Sequence, residues 1–242
     1  MNYEDSGNTN YSLKIRKINS VQNIGIEDWK IIRSPNEGAS ETVYNILFDC
    51  AINCWVRGVE SYKPSRNHLC IALSSHIAIS GCYFHEAMGY DGDGWGYGVE
   101  LGASTTNCLI ENNFFRKLRH ALIAGSGSNC NVWVFNYSRE QNGTDTYRDL
   151  DLHAKYPFGH LFEHNVVEEI GADDYHGDNG PYNAFVRNYV YSPDGYGGIH
   201  LENMEDWSTL GNIRTPDPLR APYHTYDEPA IKDRFGYTDN YY

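Results

Sequence analysis

The sequence predicts an all-β chain: a single-stranded right-handed parallel β-helix of about 8 coils with an asparagine ladder. Short apolar segments recur with Asn in fourth place: IENNFF, WVFNYS, FEHNVV and FVRNYV set Asn113, Asn136, Asn165 and Asn188 at steps of 23, 29 and 23 residues. Apolar residues form columns around these asparagines. The chain is also rich in Gly (23) and Tyr (20), which suits short strands joined by polar turns better than helices.

In chain order, residues 1–20 form a polar, Asn-rich start, 21–213 the parallel β-helix, and 214–242 a Pro- and Tyr-rich C-terminal segment that packs on the coils or caps them. IEDWKI from Ile26 and VRGVES from Val56 read as early coils, one residue shorter at this point. ISGCYF puts Cys82 in the ladder slot, and TLGNI carries the ladder to Asn212. Three residues before each slot stand Ile79, Ile110, Trp133, Phe162 and Phe185; one after stand Tyr83, Phe114, Tyr137, Val166, Tyr189 and Ile213. Both columns are apolar and are expected in the core. The slot residue is expected at the bend itself, because Asn tolerates left-handed backbone and its amide bonds to the Asn above and below. Inserts at 86–98 and 139–148 should stand out as loops and build the walls of a cleft.

The net charge of -13, with 19 Lys+Arg against 32 Asp+Glu, excludes a nucleic-acid partner that needs clustered cations for its phosphates. Abundant Tyr and carboxylates fit a polysaccharide, whose apolar faces stack on rings while its hydroxyls take hydrogen bonds. The six cysteines form no paired CxxC knuckles, so buried free thiols are expected rather than a zinc module. No apolar run is long enough for membrane insertion. The expected setting is extracellular or periplasmic, with a leader outside the given chain.

The residues that carry chemistry concentrate in 149–179. Counted back from the ladder, the twelfth position reads Leu101, Ala124, His153, His176 and His200, the tenth ends in Lys155, Asp178 and Glu202, and the fourteenth includes Asp151 and Asp174. Alternate strand residues share a face, so these columns predict an outward patch three coils deep. Tyr175 and Gly177 then fall on the inward face, and Glu100 has no place in the scheme. Aligned carboxylates and imidazoles perturb one another's pKa values, as acid–base work needs. His153, His176 and His200 are alternatively suited to a transition metal, and Asp91 and Asp93 in the insert to calcium; acid–base work by the patch requires no cofactor. Arg119 and His120 are candidates for a substrate carboxylate, and Trp95 and Tyr97 for a sugar-stacking platform.

The ladder and coil length resemble the pectate-lyase-like right-handed parallel β-helix superfamily, over roughly residues 21–213. Asp151, then Asp173 with Asp174, then His200 on successive coils look like the arrangement in polygalacturonase-type glycoside hydrolases. That resemblance implies Asp174 as general acid, Asp151 and Asp173 as the water-activating pair, and His200 in support of the acid. Inversion is implied if the carboxylates stand far enough apart to hold the water. DLD and GGIH replace the family's NTD and GHG words, and its RIK word is missing. Glycoside hydrolysis is therefore the expected activity, beside two alternatives. One is a polysaccharide lyase, with Lys155 or a histidine as base; the other is a non-catalytic, glycan-binding β-helix.

Overall fold

The computed structural model describes residues 17–33, 43–90, 94–142, 148–153, 155–191, 198–201, 204, 206–215 and 223–225. Three sheets of stacked parallel strands, each strand two to six residues long, form the walls of a right-handed parallel β-helix. The chain breaks into such short strands because it is cornered at regular places by left-handed residues. One corner set is Asp28, Gly58, Gly81, Asn112, Phe135, His164, Arg187 and Gly211, with φ between 51° and 62°. Another precedes the strands of the eight-stranded sheet, which the first set follows, at Asn23, Asn53, His76, Asn107, Cys130, Gly159, Tyr182 and Asp206. Left-handed backbone is unfavourable for bulky side chains. At Phe135 and His164 the outward-pointing rings stack on one another with centroids 5.2 Å apart, which offsets part of that cost.

The first corner set lies one residue before the ladder, which corrects the expectation that the ladder asparagine makes the bend. Asn113, Asn136, Asn165, Asn188 and Asn212 point inward and are almost fully buried. Each amide from Asn113 to Asn188 donates to the next asparagine's Oδ1 at 3.0 Å. Each also donates to a carbonyl of the preceding coil, as Asn165 does to Trp133 at 2.9 Å. Cys82 occupies the slot as expected, giving its backbone N–H to Asn113 Oδ1 at 3.0 Å. The early coils are not shorter: Ile26, Val56 and Ile79 are in register, as are Lys30, Glu60 and Tyr83, so Trp29 and Val59 fill the slot.

Because the ladder residue faces in, the next residue must face out. The column Tyr83, Phe114, Tyr137 is accordingly a half-exposed outer stack, with ring centroids 5.1 and 5.3 Å apart, and not core. Phe84, Phe115, Val167 and Val190, one position further on, are the buried residues of that wall. The column three before the slot is core as expected: Ile79, Ile110, Trp133, Phe162 and Phe185 are fully buried. A second polar ladder runs five residues ahead of the first, where Asn131 Oδ1 accepts the Cys108 N–H (2.8 Å) and Asn183 Oδ1 that of His160 (3.1 Å). All six cysteines are free thiols, four of them buried. No helix among the described residues is long and apolar enough to cross a membrane.

The wall that carries the chemistry is a seven-stranded sheet containing, in order, Ile46–Asp49, Asn67–Ala72, Tyr97–Leu101, His120–Ala124, Leu150–His153, Ile170–Asp173 and Ile199–Leu201. The last of the described coils ends differently. Tyr223–Thr225 runs antiparallel along Ile213–Thr215 at the edge of the nine-stranded sheet. Most of the C-terminal segment, like most of the N-terminal one, lies outside the described residues.

Candidate functional site

In the seven-stranded sheet Leu150 and Leu152 point into the core and are fully buried, which turns Asp151 and His153 outward. The register pairs Ile123 with Asp151, Asp151 with Gly171, and Gly171 with His200; Glu100 pairs with Ile123 in the same column. This corrects the column deduced by counting back from the ladder. Members of the observed column lie 13, 14, 17 and 12 residues before Asn136, Asn165, Asn188 and Asn212, so the intervening turn varies in length. Glu100 faces outward, and its anomaly disappears.

Two residues along, on the same face, His153 pairs with Asp173. His153 Nδ1 donates to Asp173 Oδ2 at 2.6 Å and stands 3.3 Å from Asp151 Oδ2. Arg148 completes the cluster, with Nη1 3.5 Å from Asp173 and 3.8 Å from Asp151. Its side chain lies where Gly171 has none: a Cβ on Gly171 would come within 2.2 Å of Arg148 Cδ. Gly171→Ala should therefore drive the guanidinium off both carboxylates. Imidazole proton resonances followed against pH should then show His153 deprotonating at higher pH than in the wild type.

The pKa values of the cluster are pushed apart. Burial raises Asp151 to about 6, against the pull of His153. Burial also raises Asp173, but the His153 hydrogen bond and charge prevail and bring it down to about 2. Burial lowers His153, yet the two aspartates outweigh it and lift the imidazole to about 9. At neutral pH the cluster is thus an imidazolium and a guanidinium between two carboxylates. Asp151 is fully buried beneath its neighbours, whereas the side chains of His153 (22 %) and Asp173 (14 %) reach solvent.

The other expected site residues divide. Asp174, His176 and Asp178 leave the strand for an exposed turn, closed by the Gly177 N–H on the Asp174 carbonyl at 2.9 Å. That turn returns His176 to the site, its ring 5.0 Å from that of His153 and 4.7 Å from that of Tyr175. Tyr175 is 82 % exposed, contrary to the inward placement expected, and its N–H binds Asp173 Oδ1 at 3.0 Å. Gly177 is exposed too. Partial burial and the His153 charge lower the pKa of His176. His200 is exposed in the outward column, 3.8 Å from Glu169. Lys155 is exposed just past the strand.

Arg119, His120 and Tyr97 are buried, so a role in holding or stacking substrate at the surface is corrected to one of support. The insert packs down on them: a Cβ on Gly96 would touch the Tyr90 ring at 3.0 Å and Arg119 Cβ at 3.4 Å. Trp95 is half-buried in that insert. Burial and the neighbouring Arg119 charge bring His120 down to about 3, and its ring lies 6.0 Å from that of His153. Glu202, Asp91 and Asp93 lie outside the described residues.

Arg148 and a buried acid pair behind the site escaped the sequence reading. Asp149 accepts the Ser138 hydroxyl at 2.7 Å and the Glu168 N–H at 2.9 Å, while Glu168 accepts the N–H groups of Glu140 and Gln141 at 2.8 and 2.6 Å. The signal available was an acid on either side of Leu150. Burial and the nearby Glu168 charge raise the pKa of Asp149. A raised acid favours folding below its unfolded value of about 3.9 and loses that contribution as pH rises through the folded value. Asp149→Asn should therefore be more stable than the wild type at alkaline pH and lose that advantage in acid, as read from urea unfolding midpoints.

No protein-family model matches the chain, and no curated protein matches it by sequence. Among solved structures, a mutant tailspike protein of E. coli bacteriophage HK620, in complex with a hexasaccharide, matches with a TM-score of 0.59 at 12% identity. The match covers 82% of this chain and 39% of the tailspike, so the chain spans about two fifths of that protein's length. The likeness shows the fold the two share, a right-handed parallel β-helix.

Proposed function

We propose that the outward face of the seven-stranded sheet binds a polysaccharide and hydrolyses its glycosidic bonds, with Asp151, His153 and Asp173 as the reacting cluster. The observation that carries this reading is the outward cluster in which His153 Nδ1 lies 2.6 Å from Asp173 and 3.3 Å from Asp151, which raises the imidazole to about 9 and sets a charged proton donor beside an ionised carboxylate. His153 donates a proton through Nε2, the ring nitrogen not committed to Asp173. Asp173 accepts the proton of the attacking water. Asp151, out of reach of substrate, is the buried charge that keeps His153 an imidazolium. The similar tailspike's complex with a hexasaccharide supports a sugar ligand. Asp174, the general acid implied by the polygalacturonase resemblance, stands in the exposed turn after the strand that ends at Asp173 and is not a member of this cluster.

A second reading, β-elimination on a uronate polymer, draws on the neutral His176 beside two cations, His153 and Lys155. The cations would neutralise the uronate carboxylate and His176 would remove the adjacent proton. Incubation with neutral and uronate polysaccharides separates the readings. New reducing ends without ultraviolet absorbance from an unsaturated sugar are expected. Unsaturated product would establish elimination, and binding without either product would leave a glycan-binding β-helix.

A further inference from the structure

We infer that Asp151, His153 and Asp173 form a site for one divalent transition-metal ion, which enters in exchange for the proton on His153 Nδ1. One ligand atom from each residue lies within 4.8 Å of the other two, and paired strands of adjoining coils hold them there. The cluster also has more acceptors than donors. Asp151 is fully buried, yet neither of its oxygens takes part in a hydrogen bond among the described residues; His153 at 3.3 Å and Arg148 at 3.8 Å are ion-pair neighbours only. Buried acceptors without donors are costly, and an ion is among the groups that satisfy them.

The donor set defines the ion. One imidazole nitrogen with two carboxylates suits zinc or a neighbouring first-row metal, whereas calcium takes six to eight oxygens. Two carboxylates and a neutral imidazole balance a dication. Arg148 is the competitor, because its guanidinium sits 3.5 and 3.8 Å from the same carboxylates and must swing aside. The site is defined without reference to sugar. If cleavage proceeds by proton transfer at His153, the bound ion inhibits it.

Zinc titration of the chelator-stripped full chain in a calorimeter tests the inference with no glycan present. One saturable equivalent is expected. Its affinity should fall about tenfold for each unit the pH is lowered, since the ion displaces one proton. His153→Gln and Asp173→Asn should each weaken uptake by more than about tenfold. Arg148→Gln should tighten it, which a merely structural role for that arginine does not predict. Absence of saturable uptake, or uptake indifferent to both ligand substitutions, overturns the inference. If circular dichroism shows that the ligand variants do not fold, Arg148→Gln decides, and unchanged or weaker uptake there is equally fatal. Cleavage that zinc leaves untouched, despite demonstrated uptake, counts against His153 as the proton donor and not against the metal site.

Discussion

Asp173→Asn should reduce glycan cleavage by about two to four orders of magnitude, the usual range for losing a positioned acid–base group. The amide is nearly isosteric and retains an oxygen for the Tyr175 N–H, which Asp173 now accepts at 3.0 Å. What it loses is the negative charge at the 2.6 Å contact with His153. His153 should then titrate well below about 9, because one of the two carboxylates that outweigh its burial has gone. The effect is therefore double, a missing proton acceptor and a weakened imidazolium, and the pH profile resolves the two. The wild type should lose activity as pH rises through about 9, and the residual activity of the variant should fall away at lower pH. Stability follows the same logic. His153 favours the folded state below its unfolded value of about 6.5 and stops doing so as pH climbs through about 9. Asp173 favours it above about 3.9 and stops as pH falls towards about 2. An unchanged rate in a folded Asp173→Asn protein would remove Asp173 from the mechanism.

Asn165→Ala should destabilise the fold by at least about 3 kcal/mol, measured as a lower urea midpoint with little change in slope. The side chain lies at the middle of the ladder, fully buried. Its amide donates to the Trp133 carbonyl at 2.9 Å and to Asn188 at 3.0 Å, and its oxygen accepts the Asn136 backbone N–H at 3.1 Å and side-chain N–H at 3.0 Å. Removing it strands groups on both neighbouring coils, each costing roughly 1–3 kcal/mol if left dry. Phe162→Leu in the adjacent wall is a useful comparison, since it removes packing and leaves every hydrogen bond in place. A cost for Asn165→Ala no greater than for that change would mean that water enters and replaces the amide.

The ladder was legible because one residue type marks it at a nearly constant place, between an inward apolar residue and an outward one. Its corner was displaced by one residue because the left-handed position accepts Gly, Asn, Phe, His and Arg alike, so composition does not betray it. The histidine-bearing wall was legible in part. Asp151, His153 and Asp173 could be named, since acids and imidazoles on an otherwise apolar strand are conspicuous. Their neighbours could not be assigned, because the turn between this wall and the ladder gains or loses residues from coil to coil. His176 reaches the cluster from an exposed turn that no strand periodicity describes. Arg148 depends on something subtler still, the absence of a side chain at Gly171 one coil away.

The reversed strand at the end of the nine-stranded sheet bears on assembly. A stack of parallel coils offers at its last rung the same backbone pattern that each rung uses to recruit the next, which makes an unprotected terminus a template for another molecule. Tyr223–Thr225 occupies the edge of Ile213–Thr215 in the opposite sense. It thus interrupts propagation of the parallel register along that wall.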